Sequence, residues 1–467
     1  VAGPLRLYEL PRGRIAHRYL DLLKDEWKSC RVDRKWNSER PLSFPACILH
    51  MQRGVRMKAY EIKDQIEQRL DAWEAGRFDT LVTSVADQWN RGDGLRPTRS
   101  TLEDDWLDST GRRFERMVHD GKLRAAMRMV TNREGGSLYR STDLDTKTGQ
   151  PVIDVLRSKH PEARIPAIEH FDAYEEEPDS MAIFCYEEDV AAEASNLSGA
   201  AGPSGVDAVT FRSWLVRYGV HSEQLRVEMS KWVTLLSNGS PDYAMYRAVN
   251  SALMMAADKK PGVRPLACGE IYMRLWGRCN LAAETRNLAR DACGNIQACA
   301  GLKAGIEGMI HSVRAIWPES AGWTFDQGAD AEPANLFQQL LDGTERELAS
   351  AGANEDPELA LEEEEVDPGA AEYVDLAQYE RNSGYGALMV DARNAFNEKN
   401  RYLMLWNVYH RWHRGSRFAF NRYRHQNIIY VRGLPGEMPV VILGKEGVAQ
   451  GCVFGSICFG IGLMPLA

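Results

Sequence analysis

Tyr385-Gly386-Ala387-Leu388-Met389-Val390-Asp391-Ala392-Arg393-Asn394-Ala395-Phe396-Asn397 is the stretch on which the fold turns. Its first half is a short apolar run that stops at a carboxylate, the pattern of a buried strand emerging at a polar end. A carboxylate at that exit is well placed to hold a divalent cation, because hard Mg²⁺ takes oxygen ligands and draws few of them from protein. The plainer alternative is a helix cap or a turn, since Asn394 and Asn397 follow directly. Spacing alone leaves both open.

Downstream, Lys399 to Arg414 has helical spacing, and Asn427 to Arg432 and Met438 to Leu443 flank Gly433-Leu434-Pro435-Gly436 as a hairpin would. Lys399 to Arg432 holds eight Lys or Arg, no Asp or Glu and eight aromatic residues. Arg411, Arg414, Arg417, Arg422 and Arg424 are candidates to bind phosphates while the rings stack on bases; the alternative is a core helix and hairpin with buried aromatics. Glu446-Gly447-Val448-Ala449-Gln450-Gly451-Cys452 follows, where two glycines permit close backbone approach and Gln450 both donates and accepts. Upstream, Lys259-Lys260-Pro261-Gly262-Val263-Arg264-Pro265 sets cations around a Pro-Gly turn, able to grip a triphosphate or simply to be a solvated turn.

Charge divides the chain. Asp326 to Asp375 carries sixteen Asp or Glu against Arg346 alone, a net of −15, which leaves +6 for the rest of a chain whose total is −9. The acidic stretch reads as a solvated insertion, with nucleic-acid mimicry as the alternative, and the mildly basic remainder tolerates a polyanionic partner. The expected divisions are a mainly helical N-terminal region of unread role at 1–195, a second helical region at 196–320, the acidic disordered insertion at 321–380 and a final region at 381–467. Amphipathic helices are expected at Met57 to Gly76, Glu223 to Leu236, Tyr243 to Ala257, Ile271 to Leu288 and Ile306 to Trp317.

With 467 residues, 44% hydrophobic and 26% charged, the chain has material for two or three domains and is neither wholly disordered, collagen-like nor a small disulfide scaffold. No apolar run is long enough to span a bilayer and residues 1–30 show no signal peptide, so a soluble intracellular protein is expected. The nine cysteines lack a two-residue spacing and read as small buried thiols; His410, His413 and His425 have no acidic or Cys ligand nearby to complete a metal cluster. Val1 is not an initiator Met and Ile457 to Ala467 reads as a helix in mid-course, so a fragment of a longer reading frame is expected.

Taken in order, Gly202-Pro203-Ser204-Gly205-Val206-Asp207, the Lys-Lys-Pro-Gly-Val-Arg-Pro turn, Asp391 to Asn397 and Gly447 to Gly451 resemble the succession in retroelement reverse transcriptases, over about residues 200–467. The resemblance implies an α+β fold with right-hand polymerase fingers at 196–320 and a partial palm at 381–467. It implies RNA-directed DNA synthesis, with an RNA template, a DNA primer, deoxynucleoside triphosphates and two Mg²⁺ ions, by a retrotransposon-encoded enzyme acting in the nucleus. Asp391 then resembles the first metal-binding aspartate, with the Ala392 carbonyl adding an oxygen. Lys260 and Arg264 match the residues that hold the triphosphate, Gln450 and Gly451 those that position nucleotide and template, and Phe396 the ring beneath the sugar that leaves no space for a 2′-hydroxyl.

Departures from the family pattern leave two rivals. Asp-Pro-Leu-Ser usually follows Gln-Gly, whereas this chain has Cys452-Val453-Phe454-Gly455, and none of its last sixteen residues is acidic. The stretch to Ala467 alone is therefore expected to be inactive, and a decayed or domesticated copy that binds nucleic acid without catalysis is the first rival. An RNA-dependent RNA polymerase is the second; it would be expected to place an acidic group near Phe396.

Overall fold

In a computed structural model of the chain, the described residues are 7–33, 38–52, 57–90, 114–115, 118–119, 138–139, 142–177, 182–258, 262–294, 308–309, 311, 394–431, 439–449 and 451–466. Val1–Lys303 and Ala392–Ala467 make one compact unit and Ala304–Asp391 another. The strand expected at Tyr385 to Val390, the acidic stretch and nearly all of the helix expected at Ile306 to Trp317 lie outside the described residues.

The first unit begins with helices α1 (Arg14–Val32), α2 (Glu39–Leu49), α3 (Ala59–Glu74) and α4 (Phe78–Asn90). Helix α3 follows from Ile62, Ile66 and Leu70 recurring every four residues, and Glu61 accepts the Lys58 backbone N–H at 2.6 Å at its start. After β1 (Leu138–Tyr139) and α5 (Val152–Ser158) come α6 (Glu187–Ser195), α7 (Ala208–Val216) and α8 (Val220–Asn238). Trp27 of α1 meets Trp232 of α8 edge-on at 5.7 Å, and both rings are 0% exposed. Residues on both sides of the boundary drawn at 195 therefore contribute to one core.

Tyr243 to Ala257 departs from expectation. A single 3-10 turn, Tyr243–Met245, is followed by strand β2 (Ala252–Asp258). Ala252-Leu253-Met254-Met255-Ala256-Ala257 has good helix formers, but both edges of β2 are paired, and an apolar run buried in mid-sheet overrides that propensity. Strand β3 (Val263–Gly269) runs antiparallel along one edge of β2, from Ala252 opposite Gly269 to Asp258 opposite Val263. The other edge is shared: β1 is antiparallel at Ala256 and Ala257, and β4 (Asn427–Val431) is parallel at Ala252 to Met254. Strand β5 (Val440–Gly444) closes the sheet antiparallel to β4, as the hairpin spacing predicts. Helix α5 packs Val152 and Leu156 on one sheet face, against Met254, Val263, Ile429 and Ile442.

The remaining helices are α9 (Ile271–Asn280), which passes through a π-turn (Leu281–Thr285) into α10 (Arg286–Ala292), then the single turn α11 (Ala395–Glu398), α12 (Arg401–Arg411), α13 (His413–Tyr423) and α14 (Gly455–Leu463). The fold is mixed helix and sheet, the α+β class expected. The eight described cysteines are free and mostly buried. No helix among the described residues is long and apolar enough to cross a membrane.

Candidate active site

The Gly202 to Asp207 turn is a clamp on the end of β3. Glu270, 0% exposed, accepts the Ser204 backbone N–H at 2.9 Å, the Ser204 hydroxyl at 2.7 Å and the Ile271 N–H at 2.9 Å. Burial pushes its carboxyl above the ordinary range, and these donors work against that push. A Cβ on Gly202 would come within 2.8 Å of the Glu270 backbone, so the close approach needs glycine. Asp207 caps α7 by accepting from the Thr210 N–H at 2.8 Å. This motif holds structure together, and its partner Glu270 is not evident in the sequence except as an acid at a strand-to-helix border.

The Phe396 turn and the Gly447 segment meet directly. Asn394 is the one non-glycine among the described residues with positive φ, 54°, and its amide nitrogen donates to the Lys159 carbonyl at 2.9 Å. That left-handed residue starts α11 abruptly, so Phe396 sits in a one-turn helix of its own. The Val448 N–H donates to the Phe396 carbonyl at 2.7 Å and the Gly447 N–H to the Lys399 carbonyl at 2.8 Å. Gly447 has φ +66°, and a Cβ there would stand 2.1 Å from the Phe396 carbonyl oxygen. The half-buried Phe396 ring stacks on Phe459 of α14, 4.5 Å between centroids and 8° from parallel.

Gly451 completes the junction from the other side. At φ +80°, its Cβ position lies 3.0 Å from the Ala267 carbonyl of β3. Arg264 is exposed on that same strand, three residues or about 10 Å away along the chain. Asp391, Ala392, Lys260 and Gln450 lie outside the described residues. Of the candidate site residues, Phe396 is joined to the Gly447–Val448 backbone, and Gly451, three residues after Val448, approaches β3, which also carries Arg264.

Two buried arginines brace the junction; Arg422 is one of the candidate phosphate binders of the basic block, and Arg401 is a member of that block that is not among them. Arg401, 6% exposed, donates to the Gly447 carbonyl at 2.8 Å, the His425 carbonyl at 3.0 Å and Asn427 Oδ1 at 2.9 Å. Burial pulls it down to about 10, leaving it charged near neutrality. Arg422 does not face phosphate: it is 3% exposed and donates to the Asn250 carbonyl at 3.1 Å and to Cys452 Sγ at 3.5 Å. Burial alone would raise the Cys452 thiol, but the Arg422 charge and the Tyr423 hydroxyl beside it hold it below its ordinary value. Nothing local in the sequence separates these arginines from their exposed neighbours.

The outer arginines of α12 and α13 are half-engaged. Arg417 donates to Ser240 Oγ at 2.9 Å, Arg424 to the Tyr246 hydroxyl at 3.2 Å, and both lie over Phe420. No model of a protein family matches this chain, and no curated protein matches it.

Proposed function

We propose that this chain is part of an RNA-directed DNA polymerase of the retroelement type, with fingers carrying β2 and β3 and a palm carrying α11 to α14. The observation that supports it most is the junction itself. The Gly447 end of one segment meets Phe396 and its Gly451 end meets the strand bearing Arg264, each through a close backbone approach at a positive-φ glycine. In this reading Asp391 and the Ala392 carbonyl hold Mg²⁺, whose chemistry there is activation of the primer 3′-hydroxyl and neutralisation of the departing pyrophosphate. Lys260 and Arg264 grip the triphosphate, Gln450 and Gly451 line the nucleotide and template, and Phe396 excludes the ribose 2′-hydroxyl. RNA template, DNA primer and deoxynucleotides are its partners.

The Arg422–Cys452 contact favours one second reading, a copy that binds nucleic acid without catalysis, because the residue after Gly451 is committed to an internal pair. The two separate in one binding experiment. The chain is loaded with an oligo(dT)·poly(rA) hybrid and titrated with dTTP in the presence and absence of Mg²⁺. Polymerase ancestry with a working pocket predicts Mg²⁺-dependent dTTP binding, weakened about tenfold or more by Arg264→Gln. Hybrid binding with no Mg²⁺-dependent dTTP binding supports the non-catalytic reading, and absence of hybrid binding rejects both.

A further inference from the structure

Residues 159–177 run almost without secondary structure, their one helical piece being the 3-10 turn Ile168–His170; the Lys159 carbonyl accepts from Asn394 and the Arg164 N–H donates to Glu446, whereas Phe171 to Glu177 lie along α12. None of residues 161–177 is buried, and Ile165 and Ile168 are each 85% exposed. Between Glu162 and Glu177 there are six acidic residues against Arg164 alone. This thin acidic strap lies on the side of α12 that carries Trp406, His410 and Arg411.

Its contacts follow a pattern. The Tyr174 ring stacks on His410 at 4.1 Å and 4° from parallel, and Phe171 meets Trp406 edge-on at 5.6 Å. Asp172 places a carboxylate oxygen 3.8 Å from Arg411, and the Arg411 guanidinium also donates to the Tyr174 hydroxyl at 3.1 Å. The Tyr174 hydroxyl in turn donates to Asn407 Oδ1 at 2.8 Å, and the Trp406 indole N–H to the Asp172 carbonyl at 2.9 Å. A flat ring on a flat ring, an anion by an arginine and acceptors for side-chain donors are what a stretch of single-stranded nucleic acid offers.

The fit of the strap is incomplete. Both ring nitrogens of His410 are without a hydrogen-bond partner beneath Tyr174. Tyr402, one turn before Trp406 on α12, is 51% exposed and takes no part in the strap's ring contacts.

Resting on the nucleic-acid reading above, we infer that the Tyr402, Trp406 and His410 side of α12 is a stacking site for single-stranded nucleic acid, and that residues 165–177 occupy it as a displaceable mimic, hinged at the anchored Arg164. A base takes the place of Tyr174 over His410, a phosphate takes that of Asp172 at Arg411, and the strap swings out.

The test is the affinity of the chain for a fluorescent oligo(dT) and for its RNA counterpart, read by anisotropy, in wild type and Tyr174→Ala. This substitution changes no charge, so a gain cannot come from weaker electrostatic repulsion. The expected result is binding about tenfold tighter, the equivalent of one stacked base, with unchanged circular dichroism. Adding His410→Ala to Tyr174→Ala should remove the gain. In wild type, saturating oligonucleotide should speed cleavage after Glu169 by a glutamate-specific protease. Equal or weaker binding by a folded Tyr174→Ala overturns the proposal while leaving the nucleic-acid reading in place. No binding by either protein overturns both.

Discussion

Trp27 meets Trp232, Tyr272 and Trp276 at 5.7, 4.7 and 5.4 Å with every ring 0% exposed, whereas Trp406 and His410 meet Phe171 and Tyr174 on a surface where no strap residue is buried. Both clusters carry unpartnered nitrogens, on Trp276 in the first and on His410 in the second. The difference lies in what can reach them. In the core, partners arrive on α1, α8 and α9 and seal the rings against each other. On α12 the partner is an acidic irregular segment whose loss uncovers Trp406, His410 and Arg411. Aromatic stacking of similar geometry thus serves permanence in one place and exchange in the other.

The sharpest way to break that contrast is to remove one ring from each cluster. Trp276→Ala leaves a large cavity among rings that have no room to relax, and should cost about 3–5 kcal/mol in urea unfolding. Tyr174→Ala removes a half-exposed ring from a segment with no buried residue and should stay within about 1 kcal/mol of wild type. Equal losses would make the strap part of the core.

A second contrast is between glycines. Gly447 and Gly219 both have positive φ, +66° and +55°, but a Cβ on Gly447 meets the Phe396 carbonyl oxygen at 2.1 Å, whereas one on Gly219 meets nothing within 4 Å. Gly447→Ala should cost about 2–4 kcal/mol, strain and overlap together, and should loosen the Phe396 turn. Gly219→Ala carries the conformational strain alone, about 1 kcal/mol. Thermal unfolding of the two variants measures the difference; a Gly447→Ala protein as stable as Gly219→Ala would dissolve the junction described here.

These contrasts also explain what could be read beforehand. Helix α3 was legible from Ile62, Ile66 and Leu70, and the β4–β5 hairpin from two apolar runs around a Gly-Pro turn, because each signal lies within its own element. Strand β2 was not, because Ala, Leu and Met favour a helix until β1, β3 and β4 arrive to pair both edges. The junction was foreshadowed by motif order, and Gly447 and Gly451 announced close approach without saying to what. Glu270, Arg401 and Arg422 were missed for one reason: their burial is conferred by residues tens to hundreds of positions away. The strap was invisible for the same reason, since an acidic irregular segment reads as solvated until α12 is known to lie beneath it.

The smallest expected effect is the one that tests exchange most directly. Arg31 and Glu228 join α1 to α8 through two bonds of 2.7 and 3.0 Å, with the Glu228 side chain 3% exposed. Arg411 and Asp172 stand 3.8 Å apart with both side chains about one-third exposed. Glu228→Gln leaves a guanidinium with only a neutral acceptor in a mostly closed site, and should cost about 2 kcal/mol after allowance for the solvent that still reaches Arg31. Asp172→Asn removes a long, hydrated contact and should cost between 0 and about 1 kcal/mol, falling to nothing in molar salt as screening shortens to about 3 Å. A double-mutant cycle with Arg411→Gln isolates the pair from the neighbouring Tyr174 contact. A coupling energy as large as that of Arg31 with Glu228, and insensitive to salt, would mean that the strap is bolted to α12. An incoming phosphate would then have to break a structural bond rather than replace a weak one.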